Sequence, residues 1–236
     1  CRQFKYLSGR DSFQFFGSSI EYAACIKGVG ITIPTTNGPA VYDLSQSSLA
    51  SVSGLINSAA ALLAVRPFAV DYGAALETLR SFKTGAHRLQ VISDIDGVIY
   101  INDSKATNTG AVNIGIEQVG ENVILIAGGK DKGDNYQLLR DSVRNCVKHL
   151  VLIGETAQTM SNDLGDLAPC TFAASLDEAV LQASSLAEPK DTVLLSPASA
   201  SFDMFENYKH RGEVFARAVN RLLSPARGQG APGDAE

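Results

Sequence analysis

Apolar and polar positions change their rhythm once along this chain, near residue 85. Before that point, short aromatic and β-branched runs alternate with Gly, Pro, Asn and Ser. Phe13-Gln14-Phe15-Phe16, Tyr22-Ala23-Ala24-Cys25-Ile26, Ile31-Thr32-Ile33 and Ala40-Val41-Tyr42-Asp43-Leu44 read as strands. Leu55 to Val65 is rich in Ala and Leu and predicts a helix, which Pro67 interrupts. Tyr72 to Phe82, with Leu76, Leu79 and Phe82 on one face, predicts a second helix, and Lys83-Thr84-Gly85-Ala86 reads as a linker.

Beyond the linker, strand and helix alternate. Asn122 to Ala127, His149 to Ile153 and Thr192 to Leu195 are short continuous apolar runs of the kind buried on both faces of a parallel sheet. Helical spacing fills the intervals at Gln137 to Cys146, Thr156 to Leu164 and Leu176 to Ala187. The fold class that follows is α/β, a Rossmann-like domain with a mostly parallel sheet, whose ligands sit beyond the carboxyl ends of the strands. Val91-Ile92-Ser93 and Val98-Ile99-Tyr100-Ile101, separated by Asp94-Ile95-Asp96-Gly97, predict a hairpin ahead of it. The Pro, Gly, Ala and Asp of residues 224–236 predict a disordered tail.

Composition narrows the function. With 45% hydrophobic residues in 236, the chain can bury a core, and no run approaches the roughly 20 apolar residues that span a bilayer. No membrane insertion and a cytoplasmic location are expected. A net charge of −5 without a basic run argues against nucleic acid as a partner. Cys1, Cys25, Cys146 and Cys170 are scattered without metal-ligand spacing and read as reduced structural thiols. Because the chain opens on Cys1 inside an apolar and aromatic stretch, a fragment lacking its N-terminal part is expected.

The chemistry concentrates in Ile101-Asn102-Asp103-Ser104-Lys105-Ala106-Thr107-Asn108. This octet lies between a predicted strand end and a helix start (Val112, Ile116 and Val119 at helical spacing), where free N–H groups favour anions. Asn, Asp, Ser and Thr are also ordinary helix-entry residues, so a plain loop and a phosphate seat both fit. Lys105 favours the seat, because a cation in a first helical turn opposes the helix dipole unless an anion joins it. Two further polar loops follow apolar strands, Gly128-Gly129-Lys130-Asp131-Lys132-Gly133 and the small-residue run Ser196 to Ser201. After the latter, Asp203-x-x-Glu206 has the spacing of a capping box for a helix ending near Leu222.

Taken with His87-Arg88, Phe205-Glu206-Asn207-Tyr208 and Arg211-Gly212, these motifs resemble the Mur ligases, most nearly the D-glutamate-adding members. The resemblance implies that residues 1–84 are the tail of a central ATPase domain and 85–223 the C-terminal domain. It implies ATP-dependent amide formation in peptidoglycan precursor synthesis, with D-glutamate, UDP-N-acetylmuramoyl-L-alanine and ATP as partners, Mg²⁺ held outside this chain, and a monomer. By position, Arg88 would reach the γ-phosphate, Asp103 the ribose, Lys105 the phosphate or acyl phosphate, and Asn57 the adenine. Thr107, Lys132, Ser201, Phe202 and Tyr208 would bind D-glutamate, with Tyr208 standing where Phe is found in the family, and His87 would be a packed neighbour of Arg88. The phosphate-cradling Gly-x-x-x-x-Gly-Lys-Ser/Thr loop occurs nowhere in the 236 residues. Inactivity of the chain alone is therefore expected, and a non-catalytic Rossmann-like module that binds a small anion is the alternative.

Overall fold

The structure, a computed structural model, describes residues 4–7, 13–17, 24–35 and 38–223. The expected tail at 224–236, and Tyr22 and Ala23 of one expected strand, lie outside the described residues. The chain divides into two compact units, Cys1–Gly85 and Ala86–Glu236.

The first unit carries strands β1 (Phe4–Leu7), β2 (Phe13–Gly17), β3 (Ala24–Lys27), β4 (Gly30–Thr35) and β5 (Gly38–Asp43), paired in chain order. Helix α1 (Val52–Val65) starts at Ser51, whose side chain accepts from the Gly54 N–H, and ends where Arg66–Phe68 tightens into a 3₁₀ turn around Pro67. Helix α2 (Tyr72–Ser81) is capped by Asp71. Ile31 and Ile33 of β4 and Leu44 just after β5 pack with Leu55, Ala59, Leu62 and Leu63 of α1.

The second unit begins with the antiparallel hairpin β6 (Gln90–Ile95) and β7 (Val98–Asn102). Its two-residue turn holds Asp96 at φ 52° and Gly97 at φ 81°, the left-handed pair that matches strand twist. Then come α3 (Thr109–Val119), β8 (Val123–Gly128), a 3₁₀ turn Tyr136–Leu139 running into α4 (Arg140–Cys146), β9 (Val147–Ile153) and α5 (Ala157–Leu164). After them follow β10 (Cys170–Ala173), α6 (Leu176–Leu186), β11 (Thr192–Leu195) and α7 (Tyr208–Leu222). The six strands lie in the order β10-β9-β8-β11-β7-β6, parallel except at the β6 edge.

Alternation along the buried strands feeds two cores. Val123, Leu125 and Leu194 face Val112 and Ile116 of α3, Val143 of α4 and Met160 of α5. Ile124, Ile126, Val193 and Leu195 face Leu176 and Val180 of α6 and Phe215 and Val219 of α7. Each such side chain contributes about 1.5–3 kcal/mol through burial. The α/β class with a mostly parallel sheet is as expected. The chain leaves β8 toward one helical layer and leaves β11 toward the other, so the carboxyl ends of these adjacent strands open the crevice where ligands of such sheets bind.

Three details differ from the sequence reading. β10 was not foreseen, and Gln137–Leu139, read as helix, belongs to the 3₁₀ turn. The last helix starts at Tyr208 and not at Asp203. Asn207 caps it, its carboxamide oxygen accepting from the N–H groups of Lys209 and His210, whereas Asp203 accepts from the Glu155 N–H.

Candidate active site

The polar octet runs along the carboxyl end of β7 and into α3, which begins at Thr109 under an Asn108 cap. Lys105 thus precedes the helix and does not lie in its first turn, where the sequence reading had placed it. Its Nζ lies 4.0 Å over the centre of the Tyr208 ring, a cation–π contact. The segment is held from three sides: the Asp103 N–H donates to the Leu195 carbonyl, the Lys105 N–H to His87, and the Ala198 N–H to Ala106.

Asp103 is 7% exposed and uses both carboxylate oxygens inside the unit. Oδ1 accepts from the Leu89 N–H at 3.2 Å and Oδ2 from the Ser196 hydroxyl at 3.0 Å. Burial pushes its pKa up to about 6, against the lowering effect of those two donors and of the Arg88 charge. Arg88 itself is exposed, on a turn whose neighbours His87 and Leu89 both have positive φ, 64° and 44°. Such conformations persist only where surrounding contacts impose them. Here the contacts are the Leu89 N–H on Asp103, the His87 N–H on Gln90, and Asn102 on the His87 ring.

Asn102, fully buried, donates through Nδ2 to the Gly212 carbonyl and to Nδ1 of His87, and accepts from the Ser104 N–H. His87 Nδ1 is therefore the acceptor, and the proton of the neutral ring sits on Nε2. A Cβ at Gly212 would collide with that ring, which explains the glycine. His87 meets the Tyr208 ring edge-on, centroids 6.2 Å apart, in the packed position expected of it.

The largest buried polar side chain was not among the candidates. Arg211, on the apolar face of α7, is fully buried, and its pKa is lowered to about 10 by burial, against the raising influence of Asp203. It remains charged at neutral pH. Its guanidinium donates to the Ser104 hydroxyl and carbonyl at 3.0 and 2.9 Å and to the carbonyls of Ser199 and Ala200 at 3.1 and 3.2 Å. Arg211 thus joins the segment before Lys105 to the segment before Ser201. The signal was present: 211, 215, 218 and 219 form one buried helical stripe.

At the mouth of β8, Gly128 and Gly129 have φ of 111° and 146°, and a Cβ at either would strike the carbonyl of Ile153 or Ala200. Lys132, exposed beyond them, donates to the Thr107 carbonyl at 2.7 Å and pairs with Asp134 at 3.3 Å. Ser201 is buried, and the adjacent Phe202 is 72% exposed. Arg88, Asp103, Lys105, Thr107, Lys132, Ser201 and Tyr208 therefore belong to one connected set of loops at the carboxyl edge of the sheet. Asn57 belongs to the first unit, exposed on α1. Among the described residues no group of three or more His, Cys, Asp or Glu side chains converges to hold a metal. Likewise no helix among them is long and apolar enough to cross a membrane.

The family profile described as "Mur ligase, glutamate ligase domain" matches residues 87–199. UDP-N-acetylmuramoylalanine--D-glutamate ligase of Desulfotalea psychrophila is 47% identical over 182 residues, 77% of this chain and 40% of the relative. The enzyme of that name from Bordetella parapertussis is 45% identical over 72% of this chain and 34% of its own length. Of solved structures, the MurF ligase of Thermotoga maritima in complex with ADP superposes with TM-score 0.60 at 15% identity, covering 89% of this chain and 49% of that one. A pseudomurein peptide ligase type C from Methanothermus fervidus gives 0.62 at 15%, over 84% and 41%. The chain spans less than half the length of these relatives. With its second unit matched as a glutamate ligase domain and D-glutamate ligases 45–47% identical over about three quarters of its length, the chain belongs to the Mur ligase family.

Proposed function

We propose that this chain supplies the amino-acid-binding side of an ATP-dependent ligase that joins D-glutamate to UDP-N-acetylmuramoyl-L-alanine. The observation that supports the reading is the linkage of these segments: Lys132 donates to the Thr107 carbonyl, Lys105 lies over the Tyr208 ring, and the Ala198 N–H ties the Ser196–Ser201 loop to Ala106. Lys132 offers a charge-assisted donor to a ligand carboxylate, which would replace Asp134 and the Thr107 carbonyl as its partner. Thr107, Ser201 and Phe202 line the approach, and Lys105 is the cation for a phosphorylated carboxylate. Arg88 is presented outward for a nucleotide phosphate and Asn57 for adenine. Asp103, implied at the ribose, has each oxygen in an internal hydrogen bond, and its part here is to brace the turn that presents Arg88. The absence of a Gly-x-x-x-x-Gly-Lys-Ser/Thr loop from these residues makes the chain inactive alone.

An amide NMR titration of the chain with D-glutamate, L-glutamate and D-glutamine tests the binding role. Shifts gathered at Thr107, Lys132, Ser201 and Phe202 and saturating first with D-glutamate are expected. Equal response to the L-isomer, or shifts elsewhere, would refute it.

A further inference from the structure

Beneath the crevice lies a buried cluster of hydroxyls that the reading above does not use. The Tyr136 hydroxyl is 2.9 Å from Ser199 Oγ, which is 3.2 Å from Thr156 Oγ1, and Thr156 Oγ1 accepts from the Gly129 N–H at 3.1 Å. Tyr136 is 1% exposed, Thr156 1% and Ser199 0%. Burial raises the pKa of the phenol, so it is a neutral partner in these bonds.

The cluster's place in the chain gives it a consequence. Residues 129–135 connect β8 to the 3₁₀ turn that Tyr136 opens, and Lys132 lies midway along them. The near end of this loop is fastened to the segment after β11: the Gly128 N–H donates to the Pro197 carbonyl and the Lys130 N–H to the Ala200 carbonyl. Its far end reaches that same segment through the Tyr136 hydroxyl on Ser199. Ser199 is gripped again from the opposite side, its carbonyl accepting from Arg211, and Ser201 follows two residues later. The loop bearing Lys132 is therefore stapled at both ends to the loop bearing Ser201. Releasing the far end would return conformational freedom to the seven residues around the cation.

We propose that Tyr136 is a positioning residue for the amino-acid substrate, setting through Ser199 the spacing between Lys132 and Ser201. The proposal rests on the D-glutamate reading. Tyr136→Phe keeps the ring in its buried place and removes only the oxygen, while Ser199 Oγ retains Thr156 as a partner. Losing one hydrogen bond that orders a binding loop should raise the dissociation constant by about fivefold.

The test is D-glutamate titration of the full 236-residue chain, followed at backbone amides, for wild type, Tyr136→Phe, Ser199→Ala and the double variant. About fivefold weaker binding is expected in each single variant, and about fivefold again, not the product, in the double, since both remove the same link. Amides of Lys130 to Asp134 should shift, while those of Ile124 and Leu194 in the core stay in place. Unchanged affinity in Tyr136→Phe, a multiplicative double variant, or displaced core amides would overturn the positioning role while leaving the D-glutamate reading intact. A wild-type chain without a D-glutamate response would overturn that reading, and this proposal with it.

Discussion

Removing the charge of Asp103 should make the second unit more stable at neutral pH, though Asp103 is one of the most closely held groups in the site. In the folded chain its pKa rises from 3.8 to about 6, with burial the largest cause. Folding therefore binds a proton at this carboxyl in that window. Stability from this group is full below the unfolded pKa and falls as pH rises through the folded one. At about 1.4 kcal/mol per tenfold change in proton affinity, the rise is worth about 3 kcal/mol. Asp103→Asn is nearly isosteric. Its Oδ1 can accept from the Leu89 N–H as now, and its Nδ2 can donate to Ser196 Oγ, whose hydroxyl reverses direction. The variant should thus lose little at pH 3.5. The stability difference, variant minus wild type, should grow by about 3 kcal/mol in the variant's favour between pH 3.5 and pH 7.5. Urea denaturation followed by NMR at Ile124 and Leu194 amides reads the second unit alone, and other carboxylates cancel in the difference. A difference independent of pH would show that the burial argument is wrong.

Lys132→Ala should weaken D-glutamate binding by about 10- to 100-fold in the same amide titration, since a charge-assisted bond is worth about 1.5–3 kcal/mol; an affinity within twofold of wild type would remove Lys132 from the carboxylate role. Arg211→Ala leaves the buried carbonyls of Ser104, Ser199 and Ala200 without this donor. Ala200 keeps the Lys130 N–H, so two carbonyls lose their donor; at about 1–3 kcal/mol for each unsatisfied group, the variant should cost at least about 2 kcal/mol in urea denaturation, with Arg211→Lys recovering part, and a loss under about 1 kcal/mol would contradict the bracing role. The purified chain should release no phosphate from ATP in the presence of D-glutamate and UDP-N-acetylmuramoyl-L-alanine, and release above a protein-free blank would refute the expectation of inactivity.

What could be read in the sequence follows how local each determinant is. β8, β9 and β11 announce themselves because strands buried on both faces need unbroken apolar runs. β10 lies at the sheet edge with only Ala173 buried, and Cys-Thr-Phe-Ala carries no such run. The start of α7 was misplaced for a related reason. Asp203 and Glu206 have capping-box spacing, but the Asp203 carboxylate is taken by the Glu155 N–H, 48 residues away, and a local pattern does not register a distant competitor.

The candidate site divides along the same line. Lys105, Thr107 and Lys132 could be named as candidates because the order of the motifs pointed to a family; their residue types alone fit a helix-entry or solvated loop as well. What holds those side chains in register was not legible. Asn102 reaches Gly212 across 110 residues and Arg211 reaches Ser104 across 107. In sequence, Arg211 reads as one more charge on a helix that also carries Lys209, Arg217 and Arg221. Only its phase with Phe215, Ala218 and Val219 sets it apart. A guanidinium in a buried stripe must find several acceptors to offset its desolvation, and here they are main-chain carbonyls from two loops. Backbone carbonyls are the same in every sequence, so only the folded chain could show where this arginine would find them.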